Sequence, residues 1–185
     1  MAGLVERAIG AARLEVATYE EVEHDPGALG QAMAVVVLAS VAAGIGASGQ
    51  GAPGLVGGAI ANLVGWFAWA LVTYVIGTKV LPSPQTDADL GQMLRTIGFS
   101  AAPGIVAVLG IVPVLGRAAV FVAGIWQLAA MVVAVRQALD YTSTGRAVAV
   151  CLIGFAFYVL IGVVLVAVGF GLGALAPGPP GTAMP

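Results

Sequence analysis

Charge is what this chain has least of. Only 9% of its 185 residues are Asp, Glu, Lys or Arg, 60% are hydrophobic, and the mean hydropathy is +1.04. Soluble domains carry roughly 25% charged residues, so an ordinary water-soluble globule is excluded for want of polar surface. The few charges are also clustered, leaving 26–78 and 147–185 with none. Uncharged apolar runs of that length are what a bilayer-crossing helix requires. The chain therefore reads as an integral membrane protein.

Other scarcities exclude whole classes of chemistry. The one cysteine, Cys151, has no partner for an internal disulfide and sits in an apolar run, as a buried inert thiol does. The one histidine, His24, lies among Glu20, Glu21, Glu23 and Asp25. It lacks the paired ligand spacing of a dedicated zinc site, so the stretch reads as a solvated acidic collar, with no metal and no cofactor. No glycine-rich loop matches a phosphate-binding fingerprint, and no serine has a histidine able to act with it inside the membrane. An enzyme is therefore not expected. With seven basic against nine acidic residues, the chain has no electrostatic footprint for nucleic acid. Transport pathways for protons or ions normally carry an ionisable residue within a span, and the span cores here contain none.

What is present is a run of five apolar segments behind a polar start. Residues 2–20 read as one amphipathic helix. Leu4, Val5, Ala8, Ile9, Ala12, Val16 and Tyr19 share a face, and Glu6, Arg7, Arg13 and Glu20 lie mostly opposite. Such a helix either lies on the membrane surface or docks on the loops of its own protein. Spans follow at about 28–47, 55–80, 96–112, 118–135 and 148–172. Asp25 and Pro26 read as the cap and first position of the first span. A turn at 90–95 precedes the third span, which the Pro103-Gly104 pair should kink. The expected fold is an all-α, five-span transmembrane bundle covering 26–175. A collar over 1–25 comes before it, and a disordered Pro/Gly-rich tail over 176–185 follows. No cleavable signal peptide is expected, because charges interrupt the first 25 residues.

Five spans put the termini on opposite sides. Arg7, Arg13, Lys79, Arg95, Arg136 and Arg146 then fall on one side and Arg117 alone on the other. Basic residues in short loops mark the cytoplasmic side, so the N-terminus is expected inside and the C-terminus outside, in a membrane of the bacterial inner type. The long side chains at span ends are expected to reach toward headgroups.

Small residues recur four apart, which lets helix backbones approach closely. Gly57, Ala61, Gly65, Thr73 and Gly77 form such a ridge in span two, interrupted by Trp69. Gly154, Gly162, Gly169 and Gly173 continue the pattern in span five. These serve packing within the chain or a face for a partner or a second copy. Asn62 and Gln127 are amides within spans. They either bond across helices or line a polar cavity.

The order of features from span two onward resembles the Yip1 domain family of small five-span membrane proteins. The resemblance is carried by Tyr74-x-x-Gly77, by the run 94–103 with Gly98, Phe99 and Pro103, by Trp126, and by the loop 142–147. It is closest in kind to prokaryotic members. A small-residue-rich bundle with no ionisable group in its span cores, and a charged face carrying an amphipathic helix, reads as a non-enzymatic protein acting as scaffold, accessory subunit or membrane organiser; a small permease or channel for a neutral or lipidic solute is the alternative. Eukaryotic relatives are linked to Rab-type GTPases. Here Asp25-Pro26-Gly27 stands alone where those relatives carry a longer acidic, Gly-Pro-containing segment, which puts GTPase binding in doubt. The expected partners are the lipid bilayer and a membrane protein or a second copy.

Overall fold

A computed structural model describes residues 3–47 and 55–175, with the side chains at 55, 56, 162, 165 and 168–175 excepted. Among the described residues there is no strand. The described residues form seven α-helices in order: α1 Leu4–Ala12, α2 Val16–His24, α3 Ala28–Gly46, α4 Leu55–Val75, α5 Leu90–Phe99, α6 Leu115–Ala138 and α7 Thr144–Leu175. A π-helical turn, Ile76–Val80, extends α4, and a 3₁₀ segment, Ala102–Ile111, follows α5. Among the described residues, five stretches are long and apolar enough to cross a bilayer: Ala28–Gly46, Gly57–Val80, Leu90–Ile111, Leu115–Ala138 and Thr144–Ile161. The tail at 176–185 and most of the turn before α4 lie outside the described residues.

The single amphipathic helix expected over 2–20 is two helices. Leu14 takes φ +62°, the Glu15 N–H donates to the Gly10 carbonyl and the Leu14 N–H donates to the Ala11 carbonyl, each at 3.0 Å. That is a Schellman C-terminus with leucine where glycine is usual. The left-handed conformation costs a branched L-residue roughly 1–2 kcal/mol. The return helix offsets it: Tyr19 and Val22 become fully buried beside Ala11, and the Tyr19 hydroxyl donates to the Ala11 carbonyl at 3.1 Å. Gly10 permits the crossing, since a Cβ there would collide with the Thr18 side chain. The first span also begins differently from expectation. Gly27 is the N-cap of α3 and Asp25 ends α2, although Asp25 Oδ1 does accept the Gly27 N–H at 2.9 Å.

Span three is broken rather than merely kinked. The ring of Pro103 clashes with the carbonyl four residues earlier, which is that of Phe99, the last residue of α5. The chain continues as ten residues of 3₁₀ helix, far beyond the usual three or four. A Cβ at Gly98 would stand 2.7 Å from the Ala32 Cβ, and one at Gly110 would stand 2.9 Å from the Gly46 carbonyl oxygen. These glycines let α3 lie directly against both halves of span three. At the start of α5, Asp89 and Gln92 form a reciprocal capping box, with bonds of 2.7 and 2.6 Å; the D-x-x-Q spacing announces it.

The chain divides into two units, Met1–Gly154 and Phe155–Pro185. The core of the first joins Ala32, Val35 and Ala39 of α3, Met93, Ile97 and Phe99 of α5, and Ala134, Val135 and Ala138 of α6. Tyr19 and Val22 of α2 belong to the same core, so the N-terminal hairpin is part of the bundle. In the second unit α7 continues, with Phe155, Phe157 and Leu160 exposed.

Overpacking a filled site costs about 1–3 kcal/mol. Gly98→Val should therefore lower the melting temperature in detergent. Gly124→Ala, where a Cβ meets nothing within 4 Å, should leave it unchanged or raise it slightly. Equal melting of the two variants would contradict the close approach at Ala32.

Candidate functional site at the charged end of the bundle

Nearly every charge gathers at the end of the bundle that holds the N-terminal hairpin. Several charges expected to face water turn inward instead. Arg7 is only 2% exposed. Its Nη2 donates to Glu21 Oε1 at 2.8 Å and to Asp25 Oδ2 at 2.7 Å, and its Nη1 donates to Gln31 Oε1 at 3.1 Å. The reason is the fold-back at Leu14, which brings α2 and the start of α3 to the polar side of α1. The Glu21 hydrogen bond, ahead of Asp25, raises the Arg7 pKa, and Arg7 in turn holds the Asp25 carboxyl below its ordinary range.

Arg95 likewise does not reach toward headgroups. It is buried, and its Nε donates to the carbonyls of Val22 at 3.0 Å and Glu23 at 3.2 Å, with Nη2 also on the Glu23 carbonyl. Those carbonyls close the C-terminal end of α2, where a helix carries partial negative charge. Gln137 near the end of α6 donates to Glu20 Oε1. Arg136 Nε donates to the Tyr141 carbonyl at 3.1 Å and Arg146 Nη1 to the Pro82 carbonyl at 2.8 Å. The Tyr141 hydroxyl lies 3.2 Å from the Gly77 carbonyl and 2.6 Å from that of Leu81. It thereby caps the π turn, where backbone carbonyls fall out of the regular ladder.

Glu23 is 2% exposed. Burial, then repulsion from Asp140, pushes its carboxyl up to about 7 from the ordinary 4.5, while His24 and Arg95 pull it down. The His24 Nδ1 lies 2.8 Å from the Glu20 carbonyl oxygen, which raises its pKa. Among the described residues no group of three His, Cys, Asp or Glu is placed to hold a metal ion.

The residues singled out by the sequence fall in several places. On α4, Thr73 is buried and Gly65 half-buried, whereas Gly57 and Ala61 are exposed; Gly77, in the π turn that follows, is buried. A Cβ at Gly77 would collide with the Leu139 side chain, and one at Gly57 meets nothing within 4 Å. Among the described residues, then, the chain itself fills the Gly77 end of the ridge and nothing covers the Gly57 end. Gly154 faces Thr73 Cγ2 and Trp69 Cη2, each 3.5 Å from its virtual Cβ; the side-chain surroundings of Gly162, Gly169 and Gly173 lie outside the described residues. Phe99 and Pro103 are fully buried, and Tyr74 is half-buried.

Asn62 and Gln127 do not share a cavity. Asn62 is exposed and donates to the Gly58 carbonyl of its own helix at 3.0 Å. Gln127 faces Gly104, in an open groove of 470 Å³ lined by α6 residues such as Phe121, Leu128 and Met131. The tryptophans bind helices together. Trp66 Nε1 donates to the Leu94 carbonyl at 3.2 Å, Trp69 Nε1 to the Met131 sulfur at 3.2 Å, and Trp126 Nε1 to the Ala12 carbonyl at 2.7 Å. The sequence pattern does not reveal Arg7, Arg95 and Tyr141 as anchors. Only the amphipathic register of 2–20 hints at Arg7, and it points to the wrong side.

The Yip1 domain matches this chain over residues 15–166. No curated protein and no solved structure matches it.

A carboxyl whose pKa is raised by docking stabilises the docked form below pH 4.5 and loses that contribution as pH rises through about 7. Amide-exchange protection of residues 4–24, corrected for intrinsic rates, should thus fall between pH 5 and pH 8. In Glu23→Gln the fall should be smaller, what remains being the share of His24, whose pKa is raised as well. A wild-type fall no larger than the variant's would remove Glu23 from the docking equilibrium.

Proposed function

The chain belongs to the Yip1 domain family, and from there we propose that it works by contact, as a scaffold or membrane organiser that catalyses no reaction. The observation that carries this reading is the half-used ridge of α4. Its Gly77 end is filled by Leu139 of the same chain, while among the described residues nothing covers the Gly57 end, and small residues four apart are what close helix contacts use. The occupant of the open end is a membrane-protein helix or a second copy. The permease alternative needs a lined polar path, and the separation of Asn62 from the Gln127 groove supports it poorly. GTPase binding finds no support at the charged end, where the groups available for recognition are largely engaged by the chain itself.

The charged end is proposed to face the cytoplasm, with Arg117 on the far side of a bacterial inner membrane. In intact cells a thiol placed at Arg117 should react with an impermeant maleimide. One at Asp87 should react only after permeabilisation. The reverse pattern would invert the topology.

Crosslinking and proximity labelling in native membranes should return a dimer or a defined membrane partner. Gly57→Leu should weaken that product without lowering thermal stability. Recovery of monomer alone, with no co-purifying protein, would remove the basis for a contact function.

A further inference from the structure

The side-chain amides of the described helices are engaged by the chain itself, with one exception. Gln31 accepts from Arg7, Asn62 donates to the Gly58 carbonyl, Gln92 closes the capping box and Gln137 donates to Glu20. Gln127 has no hydrogen-bond partner among the described residues. It stands twelve positions from Leu115 at the start of α6 and eleven from Ala138 at its end, about 16–18 Å from either at 1.5 Å per residue. In a helix that crosses the bilayer over that apolar length, Gln127 is at the middle, where acyl chains offer nothing to bond. An amide left unpaired there is costly.

The surface beside it is open. Gln127 borders an apolar groove of 470 Å³ with Val120, Phe121, Gly124, Leu128 and Met131. Phe121 and Leu128 are exposed at 69% and 68%. Gly124 differs from the glycines at 98, 104, 110 and 116, which the chain packs against: a Cβ on it would meet nothing within 4 Å. The N-terminal hairpin is fastened elsewhere on α6, at Trp126 and Gln137. At 3.6 residues per turn, these two positions point about 200° and 220° around the helix from Gly124. On its inner side the amide rests over Gly104, where a Cβ would stand 3.0 Å from Oε1.

We propose that a second copy of this chain covers the groove, with the two α6 helices crossing at Gly124 and each Gln127 paired to its counterpart. A primary amide carries donors and an acceptor together. Two of them related by a two-fold axis therefore exchange N–H···O bonds reciprocally, and each satisfies the other. A two-fold interface sets a patch against itself, and it is this self-complementarity that selects a second copy over an unrelated helix. Gly124 lets the backbones approach closely enough for the amides to meet. Arg117 lies on the same face two turns nearer the helix end, so the pair crosses at an angle and diverges toward that end, which separates the two guanidiniums. A single polar residue in an apolar seam also fixes its register. The interface goes beyond the contact proposed for α4: it lies on another helix and stands or falls without it.

The test uses the full chain carrying Cys151→Ala in phosphatidylcholine–phosphatidylglycerol vesicles. Single cysteines replace Val120 or Leu128 beside the groove, and Val122 or Ala129 on the opposite side of α6, all exposed positions. Mild oxidation should give disulfide-linked dimers from the first two and little from the others. Along a lipid-dilution series, Gln127→Leu should shift the half-dimer point about tenfold toward higher protein density, as the loss of interhelical hydrogen bonds of ordinary strength does. Gln127→Asn should recover part of that shift, and Gly124→Leu should abolish the product. Gly57→Leu should leave it intact, which separates a failure of the α4 contact from a failure of this one. Three results would each overturn the proposal: equal yields at the four cysteine positions, an unmoved half-dimer point in Gln127→Leu, or capture of a different protein by the groove cysteines in native membranes.

Discussion

A guanidinium taken out of water must find acceptors, and that requirement organises the charged end of this molecule. Arg95 is buried where α5 meets α2, and the carbonyls it takes are those left without intrahelical partners at the end of α2. One side chain thus neutralises its own burial and closes a helix terminus. Arg7 repeats the arrangement with Glu21, Asp25 and Gln31. Removing one partner from such a set leaves charge buried and uncompensated, which is costly. The hairpin therefore behaves as part of the bundle, and the position of α5 follows from it.

With α5 held at one end, Pro103 decides what happens at the other. The helix stops at Phe99 and the chain goes on as a narrower 3₁₀ segment that rises about 2.0 Å per residue. Ten residues in that form cover more depth than ten in an α-helix. Glycines at 98, 104 and 110 then let α3 and α6 approach the segment from two sides. Without side chains at those positions, backbone-to-backbone contact replaces the hydrophobic driving force that lipid cannot supply between helices. Trp66 and Trp69, reaching from α4 to Leu94 and Met131, secure the same junction.

Much of this is legible in the order of the residues alone. The spans, their number and a distortion at Pro103 follow from apolar run length and proline geometry, although the sequence pointed to a kink where the helix in fact ends. The family resemblance rests on residues that the fold places in the core, among them Gly98, Phe99 and Pro103. The hairpin is not legible. Residues 2–20 have a helical period that passes through Leu14 without interruption, and nothing in that period signals a left-handed leucine. Once the chain is broken there, the polar side of α1 becomes an interior surface, so Arg7 and Glu23 change from solvated groups to buried ones. Asn62 and Gln127 illustrate the same limit: two amides in spans look alike in a sequence, yet one bonds its own helix and the other faces Gly104.

The sequence by itself determined what could enter hydrocarbon and what could not, because that partition depends on the transfer energy of each side chain and on runs long enough to span. It determined, by the same physics, that charge would collect at the ends of the spans. Only the tertiary structure decided which of those charges face water. That choice depends on acceptors brought from 14 to 73 positions away, and a local pattern holds no record of them. The scarcity of charge thus has two meanings: along the chain it marks the membrane, and in space it leaves a small set of ions that the fold uses mainly to bind its own helices together.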